Sequence, residues 1–204
     1  MNITWLGHSC FALEEDGYRL ITDPYRGVPG YAPIRAAAHA VFCSHDHFDH
    51  NFRAGVALLT PRENPFAVRE ISSWHDDVHG AKRGPNTIRC FTAGGVTVCH
   101  LGDLGHLLSQ EQVRQIGPVD VLMIPVGGVY TLGPGEARAV AEQLSPRCLV
   151  PMHYRHAPYG LEELGGAEAF LAQYAPSEVR RLDGNAFAVT PELAGVLVPS
   201  YRMP

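Results

Sequence analysis

The chain has 204 residues, of which 46% are hydrophobic and 18% charged, and its formal net charge is −5. This length and composition suit a protein with a substantial core, so we expect a single domain over residues 1–204. The acidic balance and the scattered arginines, with Lys82 as the only lysine, argue against nucleic-acid binding, and no apolar run is long enough to span a membrane.

The first half of the chain is predicted to form short strands. Alternating apolar residues indicate strands over residues 2–6, 10–14 and 18–22, and an irregular segment rich in glycine and proline follows over residues 24–33. Residues 40–43 have the pattern of a buried strand that leads directly into a histidine-rich loop. Further strands are expected over residues 56–60, 68–73, 87–92 and 96–101.

The second half alternates strands with helices. Ser109 and Gln112 form a capping box for a helix over residues 110–116, which ends at Gly117. A strand over residues 119–125, a helix over 134–144 and a buried strand over 148–152 follow. The chain then predicts a helix over 167–174 and short strands over 179–182, 186–190 and 196–198. This order is typical of an α/β (α+β) fold with mixed sheets and helices outside them.

Residues with metal-ligating side chains follow several of these strands directly. They are Asp23, His45, His75, Asp103 and His153. Functional side chains in layered α/β folds gather where strands pass into loops, so we expect these residues to share one edge of the molecule.

The loop over residues 45–50 contains the motif His45-X-His47-X-Asp49-His50. Two histidines at i and i+2 can converge on one ion, and the following aspartate and histidine can serve a second ion beside it. Imidazole and carboxylate ligands suit zinc, iron or manganese, and the lack of cysteine in the loop argues against a closed structural zinc site. The loop alone does not complete two coordination shells, so further ligands must come from His75, Asp103 and His153.

The order of these motifs along the chain resembles the signature of the metallo-β-lactamase superfamily. The resemblance extends from Ile3 to about His153, and it is carried by Asp23, His45-X-His47-X-Asp49-His50, His75, Gly102-Asp103 and His153. Residues 5–11 and 100–106 are similar to a branch of short bacterial hydrolases that includes the L-ascorbate-6-phosphate lactonase-like proteins.

The resemblance implies a four-layer αββα sandwich with a dinuclear metal site at one edge. It assigns His45, His47 and His75 to the first metal, and Asp49, His50 and His153 to the second. Asp103 would bridge the two ions, and Asp23 would support the histidine loop from behind. In such a site a hydroxide held between ions about 3.5–4 Å apart attacks an ester carbonyl or phosphorus, with Asp49 and Asp103 as the catalytic carboxylates.

Several other residues are candidates for supporting roles. His79 and His100 compete with His75 as the third ligand of the first metal, and His75 is preferred because a strand points residues 100 and 103 apart. His8 and His100 are candidates to orient a ligand or contact substrate, and His106 is a candidate proton donor to the leaving group. A final set is assigned to the solvated surface, although contact with an anionic substrate is an alternative: Arg83, Asn86 and Tyr154.

These observations predict a cytoplasmic hydrolase of a small, anionic ester, lactone or phosphodiester. Two divalent ions are expected, with zinc as the default and manganese as the alternative, and no organic cofactor. The alternatives are a di-iron oxidoreductase, which His47 disfavours because a glutamate is typical there, and a non-catalytic metal-binding module. The cytoplasmic expectation rests on an N-terminus without the basic and apolar segments of a signal peptide. The sequence leaves the oligomeric state and the substrate open.

Overall fold

The structure is a computed structural model and is described over residues 1–201, so residues 202–204 of the expected domain lie outside the described part. The strands are β1 Asn2–Gly7, β2 Cys10–Glu15, β3 Tyr18–Thr22, β4 Ala36–Ala38, β5 Ala40–Phe42, β6 Val56–Leu58, β7 Ala67–Trp74, β8 Pro85–Ala93, β9 Val96–His100, β10 Val121–Pro125, β11 Cys148–Met152, β12 Val179–Arg181, β13 Ala186–Ala188 and β14 Gly195–Val198. The helices are α1 Gln110–Ile116, α2 Pro134–Leu144 and α3 Glu168–Leu171, with short 3₁₀ turns at Arg53–Gly55 and Pro176–Glu178.

The strands form two main sheets. The five-stranded sheet has the order β13-β1-β2-β3-β5, and the seven-stranded sheet has the order β12-β14-β11-β10-β9-β8-β7. In the first, β1, β2 and β3 are an antiparallel meander and β5 is parallel to β3. In the second, β7, β8 and β9 are antiparallel, whereas β10, β11, β14 and β12 continue as parallel neighbours.

One continuous hydrophobic core joins the two sheets. Phe42 of β5 packs against Phe91 of β8 with ring centroids 5.2 Å apart, and Phe11 of β2 lies 5.9 Å from His100 of β9. Every residue of β10 and β11 is buried, as expected for parallel strands that are covered on both faces. The mixed-sheet α/β sandwich expected from the sequence is thereby confirmed.

The helices contact the larger sheet. Helix α1 packs near β7, α2 contacts β10, and α3 packs on α2. The predicted capping box of Ser109 and Gln112 is present at α1, and the Gln112 side chain also donates to the Ser72 carbonyl at 2.9 Å. This bond covers part of the exposed edge of β7. Within residues 1–201, no helix has the length and apolar character needed to cross a bilayer.

Several elements differ from the sequence prediction, most of them by one or two residues at an end. The strand β4, which pairs with β6, was not predicted, because three consecutive alanines carry no alternating pattern. The strand expected over residues 119–125 begins at Val121. The helix expected over residues 167–174 is only α3, since Gln173 and Tyr174 bond to carbonyls three residues back and tighten the chain before Pro176.

Candidate metal centre

Six strand ends deliver side chains to one place. The residues just beyond β1, β3, β5, β7, β9 and β11 include, in that order, His8, Asp23, the loop 45–50, His75, Asp103 and His153. The backbone φ angles of His8, Asp23 and His153 are +50°, +42° and +52°, a left-handed region that residues other than glycine rarely adopt. Such conformations cost on the order of 1–3 kcal/mol each and persist only where surrounding packing enforces them.

Asp103 lies at the centre of the cluster. Its Oδ2 atom is 3.1 Å from Nε2 of each of His50, His75 and His153, and 3.8 Å from Nε2 of His45. Burial opposes ionisation of this carboxyl, but electrostatic attraction to the neighbouring His153 and His50 holds its pKa well below the ordinary range. Asp103 is therefore an ionised carboxylate that several imidazoles share.

The remaining side chains divide into two sets on either side of Asp103. Ligand atoms of His45, His47 and His75 lie within 4.8 Å of one another, and so do those of Asp49, His50, His153 and His8. A third set with the same spacing links His45 and His50 to Asp103. The structure thus brings together all seven residues proposed as ligands from the sequence, and it places His8 beside them.

Asp23 and Ser44 fix the orientation of two of these histidines. Asp23 Oδ1 accepts from the Ser44 backbone N–H at 2.6 Å, and Oδ2 accepts from Ser44 Oγ at 2.6 Å and from His50 Nδ1 at 2.8 Å. Ser44 Oγ in turn accepts from His45 Nδ1 at 2.9 Å. Burial opposes ionisation of Asp23, but the neighbouring His50 lowers its pKa to about 2. Both histidines consequently direct Nε2 toward Asp103. Metal-binding histidines are commonly held in this way, with the other ring nitrogen donating to a protein acceptor.

His75 is oriented by a strained turn on the opposite side of the site. Its Nδ1 donates to the Tyr130 carbonyl at 3.0 Å. The Tyr130 N–H donates to the Gly128 carbonyl at 2.7 Å, which closes a γ-turn around Val129. Val129 has a φ of +61°, and a β-branched residue in this region is a clear conformational outlier. The turn holds the acceptor for His75 in place.

The segment after His75 is organised by Asp76. Its carboxylate accepts the backbone N–H groups of Val78, Gly80, Lys82 and Arg83 at 2.8–2.9 Å. Desolvation opposes ionisation of Asp76, but these four hydrogen bonds together lower its pKa to about 2. Asp76 therefore sets the path of the loop from His75 to β8.

Asn86 supports Asp103 from behind. Its side chain accepts from the Asp103 N–H at 2.9 Å and donates to Ser73 Oγ at 2.7 Å and to the Leu101 carbonyl at 2.9 Å. Asn86 and Tyr154 are both buried, so assigning them to the surface was wrong. Gly102 lies next to this contact and leaves no room for a side chain. Its φ is +57°, and a Cβ there would lie 2.5 Å from Ser44 Cβ.

The other candidate histidines occupy different positions. His79 is exposed, and both ring nitrogens of His100 bond to backbone, with Nε2 donating to the Ser9 carbonyl at 2.9 Å and Nδ1 accepting from the Gly102 N–H at 3.1 Å. His100 therefore supports the Gly102-Asp103 turn and is not turned toward a substrate. His8 Nε2 is 3.3 Å from Asp49 Oδ2, in position to orient that carboxylate.

His106 lies apart from the cluster. Its Nδ1 donates to the Leu107 carbonyl at 2.7 Å and its Nε2 accepts from the Trp74 N–H at 3.2 Å. It lines a separate groove next to α1, with Trp74 and Gln112. Both ring nitrogens are engaged away from Asp103, so the assignment of His106 as proton donor is not retained.

The side chains fit divalent metal ions. His45 Nε2, His50 Nε2 and Asp103 Oδ1 are buried and have no hydrogen-bond partner among the described residues. Buried polar atoms are rarely left unpaired, and a bound ion is one explanation for such a convergent group. Burial and the nearby His50 lower the pKa of His45 to about 3, so this imidazole is neutral, as a ligand must be. Imidazole nitrogens with shared carboxylate oxygens suit zinc, manganese or iron.

A cavity of about 560 Å³ opens over the cluster. It is lined by Asp46, His47, Phe48, Asp49, His75, Arg83, Asp103, Tyr130, His153, Leu161 and Glu163. His47 and Phe48 are exposed at its mouth. The volume is typical of a site for a small molecule.

Comparison with known proteins places the chain among metal-dependent hydrolases. A sequence model described as the beta-lactamase superfamily domain matches residues 2–153. A UPF0173 metal-dependent hydrolase of Pyrobaculum neutrophilum is 32% identical over 195 residues, which cover 78% of this chain and 86% of the relative. Another protein of that name, from Methanoculleus marisnigri, is 29% identical over 232 residues and covers 96% of this chain and 100% of the relative.

A solved structure shares the fold of this chain over nearly its whole length. A protein of Thermotoga maritima, described as a proposed zinc-dependent hydrolase of the metallo-β-lactamase superfamily, superposes with a TM-score of 0.77. The two chains are 33% identical, and the match covers 98% of this chain and 99% of the other.

Proposed function

The chain belongs to the metallo-β-lactamase superfamily as a metal-dependent hydrolase, and from that premise we propose that it cleaves a small, anionic ester, lactone or phosphodiester with two divalent ions. One observation carries the dinuclear part of this proposal. Asp103 Oδ2 is equally close, at 3.1 Å, to His75 of one ligand set and to His50 and His153 of the other. A carboxylate in that position is suited to bridge two ions.

The chain offers one set of donors to each ion. His45, His47 and His75 would hold the first, Asp49, His50 and His153 the second, and Asp103 both. Zinc is the expected metal because the donors are mainly imidazole nitrogens, and manganese is the alternative because two carboxylates contribute. When bound, two divalent ions lower the pKa of a water molecule and stabilise negative charge on the leaving oxygen.

The protein's own residues supply orientation and charge. Ser44, Asp23 and the Tyr130 carbonyl hold the Nδ1 sides of the imidazoles, so that each ligand is fixed before metal or substrate arrives. Burial opposes ionisation of Asp49, but its hydrogen bond to His8 and the charge of His50 keep its pKa below the ordinary range. The ionised Asp49 and Asp103 therefore balance part of the charge of the ions.

The shape of the site supports a small substrate. The cavity of about 560 Å³ reaches Asp49, Asp103 and His153 at its inner end. A small ester, a lactone or a phosphodiester fits this volume.

The proposal is tested by comparing the wild type with Asp103→Asn, both reconstituted with zinc or with manganese. Turnover is assayed on bis(p-nitrophenyl) phosphate, p-nitrophenyl acetate and a simple lactone. We expect the wild type to hydrolyse at least one of them and Asp103→Asn to fall to background. The exposed Asp16→Asn, in the turn between β2 and β3, is the matched control and should retain wild-type turnover. Absence of turnover in the metal-loaded wild type on all three, or full turnover in Asp103→Asn, would contradict the proposal.

A further inference from the structure

Arg83 has an unusual position at the edge of the metal centre. Apart from the histidines, it is the only basic side chain among the described residues that line the 560 Å³ cavity. It also lines an adjoining groove of about 400 Å³ on the far side of His47, together with Arg53. A substituent that extends away from the metal cluster would therefore meet Arg83 on its way into the groove.

The guanidinium of Arg83 lies over an aromatic ring and has no carboxylate partner among the described residues. Its Cζ atom lies 5.2 Å from the centroid of the Tyr130 ring. Across residues 1–201, no aspartate or glutamate oxygen comes within ion-pair distance of it, although Asp46 and Glu163 line the same cavity. The neighbouring Lys82 shows the contrast, since its Nζ is paired with Asp77 Oδ1 at 3.0 Å.

The backbone of Arg83 and the Tyr130 ring under its guanidinium are both linked to the segments that hold His75. The Arg83 backbone N–H donates to Asp76 Oδ2 at 2.8 Å. Tyr130, which supports the guanidinium through its ring, accepts from His75 Nδ1 through its carbonyl. The backbone of Arg83 and the ring that supports its guanidinium are therefore both linked to the residues around His75.

We propose that Arg83, supported by Tyr130, binds a second anionic group of the substrate, a carboxylate or a phosphate separated from the scissile bond. This inference rests on the proposed function, because it assumes a substrate that reaches the metal cluster. A guanidinium that lies over an aromatic ring and is not paired with a carboxylate still has N–H groups that can make two parallel bonds to a carboxylate or phosphate. The carboxylates of Asp46 and Glu163 repel an anion elsewhere in the cavity, so Arg83 would also fix which way the substrate lies.

The test measures binding without turnover. Affinities of the zinc-loaded protein for acetate, succinate and phosphonopropionate are measured by titration calorimetry. Acetate reports binding at the metal cluster alone, and the other two add a carboxylate or a phosphonate at a distance. We expect the wild type to prefer at least one two-anion ligand over acetate by roughly 10- to 100-fold, the range for hydrogen bonds to a charged group. The ligand that is preferred identifies the anion.

Variants assign that preference to one residue. Arg83→Met should reduce it to within about twofold of acetate, and Arg83→Lys should keep part of it, because the charge remains without the planar pair of donors. Arg53→Met is the matched control, since Arg53 lines the adjoining groove but donates to the Val41 carbonyl and to Asn51, and it should keep the full preference. Zinc content checks that each variant is folded.

The outcomes separate this inference from the proposed function. A preference that survives in both Arg83→Met and Arg83→Lys at the wild-type level, or that is missing in the wild type, overturns the role of Arg83. A wild type that shows the preference and loses it in Arg83→Met, but hydrolyses no ester, lactone or phosphodiester, supports the anion site while contradicting the proposed reaction.

Discussion

Two groups of histidines in this protein have similar sequence settings but differ in the hydrogen-bond partners of their two ring nitrogens. In His45, His50 and His75, Nδ1 donates to Ser44, Asp23 or Tyr130, and Nε2 faces Asp103. In His100 and His106, one nitrogen donates to a carbonyl and the other accepts a backbone N–H. Burial does not separate the groups, because His100 is as buried as His75. The comparison distinguishes the proposed ligands, whose Nε2 is directed at Asp103 and accepts no backbone N–H, from histidines whose two ring nitrogens both bond to the backbone.

The second group has a structural role that follows from the same bonds. A ring that donates through one nitrogen and accepts through the other is neutral and has a fixed tautomer. His100 links the Ser9 carbonyl to the Gly102 N–H, next to Asp103, and His106 links Leu107 to Trp74, next to His75. These residues position the loops that carry the ligands.

The largest difference is expected between His75→Gln and His106→Gln. His75→Gln removes a proposed ligand, so we expect zinc content to fall by about one ion per chain and turnover to reach background. His106→Gln loses only backbone bonds, which lowers the free energy of unfolding by about 0.5–1.5 kcal/mol and leaves zinc content unchanged. Elemental analysis and denaturant unfolding measure the two effects. Loss of zinc in His106→Gln to the extent seen in His75→Gln would break the distinction between the two groups.

A smaller effect is expected from Asp23→Asn. Asp23 accepts three hydrogen bonds, and an amide would direct its NH₂ group at one of those donors. Support of this kind is typically worth about 10–100-fold in metal affinity, and we expect zinc affinity, measured by competition with a chelator, to fall within that range.

Asp120→Asn is the matched control for Asp23→Asn. Asp120 accepts from the Thr97 N–H at 2.8 Å and from Arg147, away from the cluster. It should lower stability and leave zinc affinity at the wild-type value. Equal affinity in Asp23→Asn and wild type would show that His45 and His50 do not need the support of Asp23.

The smallest effect is expected from Val129→Gly. Glycine relieves the positive φ of residue 129, worth on the order of 1–3 kcal/mol, but it also loses more entropy on folding, about 0.5–1 kcal/mol. Stability should therefore rise slightly or stay level, while turnover falls about two- to fivefold because the Tyr130 carbonyl is less firmly held.

Ser145→Gly is the control for backbone strain alone. Ser145 has a φ of +46° at the end of α2, remote from the cluster, so this variant should gain similar stability and keep wild-type turnover. A Val129→Gly protein that is more stable and fully active would show that the turn does not contribute to the site.

The local and ordered parts of the molecule were accessible from the sequence. The capping box of Ser109, the fully apolar strand β10 and the ligand-type residues after each strand are signals within a few residues of chain. Because Asp23, His75 and Asp103 each follow a predicted strand, the sequence predicted that they share one edge of the molecule.

The partners of those ligands were not accessible. The bond from His75 to Tyr130 joins residues 55 positions apart, and Asn86 meets Asp103 across 17. Asn86 directly precedes the strand predicted over residues 87–92, and nothing in the local pattern distinguishes a buried support from a surface amide there. His106 lies only three residues after Asp103 in the sequence, and its two backbone bonds are what place it outside the site. Ser44 is the one partner with a signal, since it directly precedes His45 at a strand exit.

The most direct test of a dinuclear centre built on Asp103 is the metal stoichiometry of the purified protein after removal of metal and reconstitution with zinc, measured by elemental analysis beside Asp103→Asn. A bridging Asp103 predicts about two zinc ions per chain in the wild type and a loss of bound zinc in the variant. One ion per chain in the wild type, or two in Asp103→Asn with unchanged affinity, would contradict it.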